Sequence, residues 1–150
     1  MNTLFLYYSF TGNGDLVADY FRERGAEVRK VLPQKPLPKS FFGSILKGGF
    51  LATIGHKAKL QPWDNGVQGF DRVVIGSPVW NGRFSCPINS VLSQADLSGV
   101  SVCFALYAGS GTAPKALARI QKEYPAAQAV VLKEPKKYPE ELAKLDELLR

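Results

Sequence analysis

Residues 6–21 of the chain, LYYSFTGNGDLVADYF, place a run of small and polar residues between two apolar segments. The run follows a short buried strand predicted over Thr3–Tyr8 and leads into a helix predicted over Asp15–Arg24. Apolar residues recur on one face of that helix, and Gly25 stands where a terminating glycine belongs. The stretch therefore predicts a strand, a tight loop and a helix, the repeating unit of an α/β protein.

The rest of the chain continues this alternation of strands and helices. Its strands are continuous apolar runs, which is typical of a parallel sheet covered on both faces. We therefore predict a single α/β domain over residues 1–150, a three-layer α/β/α sandwich around a five-stranded parallel sheet. The further predicted strands are Ala26–Leu32, Phe70–Gly76, Val100–Tyr107 and Ala127–Leu132, and the further helices are Cys86–Gln94, Ala113–Tyr124 (capped by Thr112) and Pro139–Arg150.

Composition is that of an ordinary soluble domain. Of the 150 residues, 45% are hydrophobic and 21% charged, and no apolar run is long enough to predict a transmembrane segment. The N-terminus lacks the basic region of a signal peptide, so we expect a cytoplasmic protein. Cys86 and Cys103 form no metal-binding motif and are expected to be free thiols. The spacing of residues predicts neither a metal site nor a catalytic constellation.

Positive charge is concentrated in one part of the chain. The formal net charge is +6, and residues 28–63 contain no Asp or Glu. A solvated face explains such a stretch most simply, but an acidic partner or an anionic membrane surface would also suit it. Aromatic and basic residues do not alternate as in nucleic-acid motifs, so no nucleic acid is expected. Within the stretch, residues 40–59 have the apolar spacing of a second crossover helix, or of a docking element.

Three unusual loops follow the first, third and fourth predicted strands. A doubly wound sheet binds its ligand at the carboxyl ends of its strands, so these loops should converge. They are SFTGNG at 9–14, SPVWNGRFS at 77–85 and YAGSGTA at 107–113.

The first loop has the chemistry of a phosphate site. It offers hydroxyls, glycines that leave N–H groups exposed, and the positive end of a helix dipole. It contains no lysine, and neither GxxxxGK nor GxGxxG is present. We therefore expect a phosphate monoester bound without a cation, the alternative being a plain capped turn.

The other two loops favour a flat ligand. Trp80 lies beside Asn81 and Gly82 after the rigid Pro78, and its ring could cover a planar group or anchor the core. Residues 108–112 carry almost no side chains, so a planar edge could lie against their backbone. Together the loops predict a flat heteroaromatic phosphate.

These motifs resemble those of the flavodoxin family. YYSFTGNG (7–14) resembles its phosphate loop, SPVWNGRFSCPINSVL (77–92) resembles its isoalloxazine loop, and YAGSGTAPKAL (107–117) stands where its third flavin loop lies. The order of strands and helices matches over essentially the whole chain. The resemblance implies a flavodoxin-like fold with FMN as the cofactor.

Carried over by position, the resemblance implies three groups of cofactor-binding residues. The phosphate loop comprises Ser9, Phe10, Thr11, Gly12, Asn13 and Gly14. The isoalloxazine is flanked by Pro78, Val79, Trp80, Asn81 and Gly82. The pyrimidine edge is contacted by Ala108, Gly109 and Ser110.

The chain departs from the family in three ways. Gly14 stands where a hydroxyl residue is usual, the third loop lacks an aspartate near the ring, and the net charge is positive where flavodoxins are acidic. Positive groups near reduced FMN raise its potential, and Arg83 is the residue expected to supply one.

The resemblance favours an FMN-binding electron-transfer protein with a redox partner protein of acidic surface. One alternative is an enzyme, an FMN-dependent NAD(P)H:quinone-type oxidoreductase, for which NAD(P)H is a second partner. The other is a flavodoxin-fold module that has lost flavin and acts in protein docking. The sequence alone leaves the three open.

Overall fold

Strands and helices alternate along residues 1–35 and 56–150, the parts of the chain that the computed structural model describes. The strands are β1 (Thr3–Tyr7), β2 (Glu27–Lys30), β3 (Arg72–Trp80), β4 (Arg83–Phe84), β5 (Ser101–Ala108) and β6 (Gln128–Lys133). The helices are α1 (Asn13–Glu23), α2 (Cys86–Gln94), α3 (Pro114–Glu123) and a C-terminal 3₁₀ helix (Pro139–Leu149).

One sheet organises these elements, in the order β2-β1-β3-β5-β6. Every neighbouring pair along this path is parallel, and the short β4 pairs with β3 alone, antiparallel. The order places β1 and β3 at the point where the winding reverses, as in flavodoxin-like proteins. The predicted flavodoxin-like fold with five parallel strands is confirmed, and β4 is an addition to it.

Both faces of the sheet are buried, as the continuous apolar strands predict. One face packs against α2 and α3, and its core includes Leu4, Leu6, Ile75, Ile88, Phe104, Leu106 and Ile120. The other packs against α1 and the 3₁₀ helix, and its core includes Phe5, Val17, Phe21, Val74, Leu132, Leu145 and Leu148. Leu4, Phe5 and Leu6 alternate between these cores, so β1 is buried on both faces and along its whole length.

Helix α1 ends as its sequence predicts. Gly25 has φ 84°, in the left-handed region, and its N–H donates to Arg22 O at 3.0 Å. The Ala26 N–H donates to Phe21 O at 3.1 Å, which completes a Schellman motif. The chain is thereby turned directly into β2.

The predicted boundary of the third strand is wrong. We expected a strand over Phe70–Gly76 and then a loop, whereas β3 continues to Trp80 and forms a hairpin with β4. Asn81 and Gly82 connect the two strands with φ of 53° and 74°. Positive φ at both central residues defines a type I′ turn, for which Asn-Gly is the preferred dipeptide.

The predicted cap of the helix at Ala113–Tyr124, which is α3 in the structure, is also wrong. Ala113, not Thr112, is the N-cap of α3, and no side chain caps it. The Thr112 hydroxyl lies 2.9 Å from that of Ser110 instead, and the Ala116 N–H donates to Gly82 O at 2.8 Å. The Gly82 carbonyl of the hairpin therefore accepts one of the N–H groups at the start of α3 that has no acceptor within the helix.

One prediction lies mostly outside the described residues. The crossover or docking helix expected over 40–59 falls within 36–55 for most of its length, as does much of the basic stretch at 28–63. The flanking described segments meet in an antiparallel bridge between Pro33 and Leu60. Among the helices that are described, none has the length and hydropathy needed to cross a membrane.

Candidate functional site

The loops after β1, β3, β5 and β6 lie at one edge of the sheet, because all four strands run in the same direction. Direct contacts connect them. The Tyr107 hydroxyl donates to Tyr8 O, and the Lys136 ammonium donates to Thr11 O at 2.9 Å. The predicted convergence of three loops is thus observed, with the loop after β6 as a fourth member.

Ser9 shapes the loop between β1 and α1. Its buried hydroxyl accepts the N–H of Gly12 at 3.2 Å and the N–H of Gly14 at 3.1 Å. Our expectation that the glycine N–H groups are exposed is therefore wrong. The N–H groups of Asn13 and Asp15, in the first turn of α1, are the ones with no acceptor among the described residues.

Gly14 is required by its neighbour Tyr107. A Cβ built on Gly14 would lie 2.5 Å from the Tyr107 hydroxyl oxygen and 2.8 Å from Ser9 Cβ. Burial raises the pKa of Tyr107 well above its usual value, so this hydroxyl stays protonated and donates to Tyr8 O. The departure from the flavodoxin motif at position 14 is thus matched by a tyrosine on β5.

Lys136 brings a positive charge to the same loop from the far end of the chain. Its backbone N–H donates to Asn13 Oδ1 at 2.9 Å, and its ammonium contacts Thr11. A Cβ on Gly12, whose φ is 97°, would lie 3.2 Å from Lys136 Cδ. The loop itself contains no lysine, but the fold brings one beside it, so the phosphate bound without a cation stays a prediction.

The two predicted flavin-ring loops form one groove. It has a volume of about 440 Å³ and lies between the β3–β4 hairpin and the start of α3. Six of the predicted contact residues line it, namely Val79, Asn81, Gly82, Ala108, Gly109 and Ser110, together with Thr112, Pro114 and Lys115. A Cβ on Gly109 would meet nothing closer than 3.8 Å, so the groove stays open at that point.

Trp80 joins the groove to the first loop. Its ring is half-buried and packs edge-on against Tyr8 at 6.0 Å and Phe10 at 6.3 Å between centroids. Phe10 belongs to the predicted phosphate loop, so Trp80 bridges the two predicted parts of the site. Pro78 is buried within β3 and does not line the groove.

The cation that lines the groove is not the one that we expected to lie near the flavin. Arg83 is not among the residues that line the groove, whereas Lys115 is. The Lys115 side chain passes 3.8 Å from a Cβ built on Gly82, so it runs along the hairpin turn. The basic group next to the predicted ring site comes from α3.

Negative charge near the first loop is already paired. Asp15 Oδ1 accepts from the Tyr7 hydroxyl at 2.8 Å and from the Lys30 ammonium at 2.9 Å. Burial and the Asp15 carboxylate together raise the pKa of Tyr7.

Burial likewise raises the pKa of the Cys86 thiol at the start of α2, so this cysteine is not activated as a nucleophile.

The groups around the first loop fit a phosphate. Those without an acceptor are the helix N–H groups of Asn13 and Asp15, the exposed Thr11 hydroxyl, and two of the three N–H bonds of Lys136. All of these groups are donors, and the nearby Asp15 carboxylate is neutralised by Lys30. A donor set with one net positive charge is what a phosphate monoester needs.

Sequence reasoning missed Lys136, Tyr107 and Lys115 as site residues. Lys136 could have been included, because the loop after a fifth parallel strand must reach the same edge of the sheet. Tyr107 was assigned to the fourth predicted strand, and nothing local indicates that its hydroxyl meets Gly14. Lys115 lies within the segment 107–117 that resembles the third flavin loop, but no role was assigned to it.

Comparisons with known proteins show a likeness of fold. No family model and no curated protein matches the chain. A protein of Bacteroides eggerthii designated a flavoprotein superposes with a TM-score of 0.79 at 18% identity, over 99% of this chain and 98% of its own. A flavoprotein of Lactobacillus acidophilus, crystallised in complex with FMN, superposes with a TM-score of 0.72 at 20% identity, over 93% and 97%.

The chain has the flavodoxin-like fold of these flavoproteins. A further protein so designated, from Bacteroides uniformis, agrees over 87% of this chain and 89% of its own, with a TM-score of 0.72 at 20% identity. The coverage is nearly complete in both directions for the first two, so the likeness extends over the sheet and its flanking helices.

Proposed function

We propose that the protein binds FMN at the carboxyl edge of its sheet and transfers electrons. The observation that carries this proposal is the pairing of two sites: an open groove of about 440 Å³ and, next to it, a loop whose free groups are donors. The fold is shared with a flavoprotein crystallised with FMN. FMN has a planar ring and one terminal phosphate, so its two ends match the two sites.

The proposal assigns the two ends of FMN to the groove and to the first loop. The ring would be held by the groove walls, from Val79 to Gly82 on one side and from Ala108 to Ser110 on the other. The phosphate would be held by the N-terminus of α1, the Thr11 hydroxyl and the Lys136 ammonium. Bound FMN supplies one- and two-electron redox chemistry, and the chain supplies binding, orientation and electrostatics.

The positive rim favours an electron acceptor or donor with an acidic surface. Lys115 lines the groove, and the exposed Lys133 and Lys136 lie at the end of β6 and in the loop after it, at the same edge. Complementary charge accelerates the encounter of two redox proteins and makes that encounter sensitive to salt. The same cations stabilise reduced FMN, so its potential should exceed that of an acidic flavodoxin.

Spectroscopy and electron-transfer kinetics test the proposal. The purified protein, reconstituted with FMN, should show flavin absorbance that stays with the protein on gel filtration. After photoreduction it should pass electrons to a one-electron acceptor without consuming NAD(P)H. A protein that retains no FMN refutes the proposal, and rapid NADPH oxidation with a quinone assigns the oxidoreductase alternative instead.

A further inference from the structure

The Lys136 ammonium contacts the first loop and is not neutralised by any carboxylate that the structure describes. Among the described residues, no Asp or Glu lies within ion-pair distance of its ammonium, whereas the adjacent Lys137 pairs with Glu134 at 3.9 Å. The Lys136 ammonium instead donates to the Thr11 carbonyl at 2.9 Å. The other two of its three N–H bonds have no acceptor among the described residues.

The backbone around Lys136 fixes this position. The N–H groups of Lys137 and Tyr138 donate to Glu134 O at 2.8 and 2.9 Å, and Pro135 is buried, so the turn after β6 is well defined. The Lys136 N–H donates to Asn13 Oδ1 at 2.9 Å. Main chain and side chain are therefore both anchored to the loop that starts α1.

Gly12 makes room for the lysine. A Cβ at this position would lie 3.2 Å from Lys136 Cδ and 3.3 Å from Nζ, so the absence of a side chain permits the close approach. The φ of 97° at Gly12 also turns the backbone so that α1 begins directly beside the ammonium. The helix N-terminus and the cation thus act on the same small volume.

We propose that Lys136 is a phosphate-binding residue that makes this site select FMN over riboflavin. The inference rests on the proposed function, since it concerns how that site discriminates between two flavins. The two ligands share the ring and differ in the 5′-phosphate, which carries a charge of −1.5 to −2 at neutral pH. An ammonium beside the phosphate position contributes to FMN binding and contributes nothing to riboflavin binding.

Binding of both flavins to matched variants tests the inference. We expect Lys136→Gln to weaken FMN binding about tenfold and to leave riboflavin binding within about twofold. Lys136→Arg retains the charge and should keep most of the FMN affinity. Lys137→Gln is the control, because it removes a neighbouring charge that already pairs with Glu134.

Lys136→Gln could weaken the turn after β6, so the wild-type protein is tested as well. Acetylation of Lys136, followed by peptide mass spectrometry, should slow when FMN is added and should not slow with riboflavin. Lys137, in the same peptide region, reports on general accessibility and should be modified at an unchanged rate.

The outcomes separate this inference from the proposed function. Equal loss of FMN and riboflavin affinity in Lys136→Gln would mean that the residue only holds the loop, and overturns the inference. Equal affinity of the wild type for both flavins overturns it as well, while flavin binding stands. A wild type that binds neither flavin overturns both proposals.

Discussion

Gly14 illustrates how a single absent side chain fits a loop to its neighbours. The position belongs to the first turn of α1, where alanine would ordinarily be favoured over glycine. Here the space that a methyl group would need is taken by the Tyr107 hydroxyl and by Ser9 Cβ. The glycine is therefore required by a contact from β5 rather than by local backbone conformation.

We expect Gly14→Ala to destabilise the protein by about 1–3 kcal/mol, because the added Cβ is overpacked against buried groups. Urea unfolding followed by circular dichroism measures the change. Gly109→Ala is the matched control, since its Cβ would meet nothing closer than 3.8 Å. A Gly14→Ala protein as stable as the wild type would show that Tyr107 does not constrain the loop.

Tyr8, in the same region, makes the stability of the folded protein depend on pH. Burial raises its pKa to about 12. A tyrosine that resists ionisation in the folded state stabilises the fold at any pH below its unfolded pKa of about 10. That contribution is lost as the pH rises from about 10 toward the folded value, because the unfolded chain then releases the proton more easily.

We expect Tyr8→Phe to reduce the alkaline loss of stability by up to about 1.4 kcal/mol per pH unit in that interval. The variant keeps the ring that packs against Trp80 and the carbonyl that accepts from Tyr107. Urea unfolding at pH 9, 10 and 11 measures the slope. Parallel stability curves for variant and wild type would refute the assignment.

The β3–β4 hairpin is the element in which the site differs most from the sequence-based prediction, because a loop was expected there. It places one wall of the groove on regular strand structure, and its Gly82 carbonyl accepts the N–H of Ala116 in α3. The two walls of the groove are thereby joined by a main-chain hydrogen bond. A functional site held by paired backbone is better fixed than one held by mobile loops.

Gly82→Ala should cost about 1–2 kcal/mol, because φ of 74° is strained for a residue with a Cβ. Asn81→Gly, which a type I′ turn accepts without strain, should cost less. Thermal unfolding compares the two variants. If both are equally stable, the turn is not the type I′ hairpin described.

Local sequence patterns were enough to predict β1, α1 and the end of α1 at Gly25, because each of these features depends on residues close in sequence. The hairpin was missed because the apolar run was ended at Gly76, although Asn81-Gly82 is a strong turn signal. The contact of Lys136 with Asn13 joins residues 123 apart and follows only from the parallel sheet. Contacts between side chains from distant parts of the chain therefore could not be predicted from local sequence patterns.

The whole protein combines a familiar sheet order with an unfamiliar charge. Its net charge of +6 includes Lys115, Lys133 and Lys136 at the edge that carries the proposed site. Sheets of this order bind ligands at that edge, and lysines there would favour anionic ligands and acidic partners at the proposed site. Fold and charge together predict a site for an anionic flavin.

Fluorescence titration of a Trp63→Phe variant with FMN tests this central claim most directly. The chain contains two tryptophans, so this variant leaves Trp80, beside the groove, as the only one. We expect its emission to be quenched progressively and to saturate at one FMN per chain, with riboflavin needing a higher concentration. Trp80 emission that remains unchanged at saturating FMN would contradict the account.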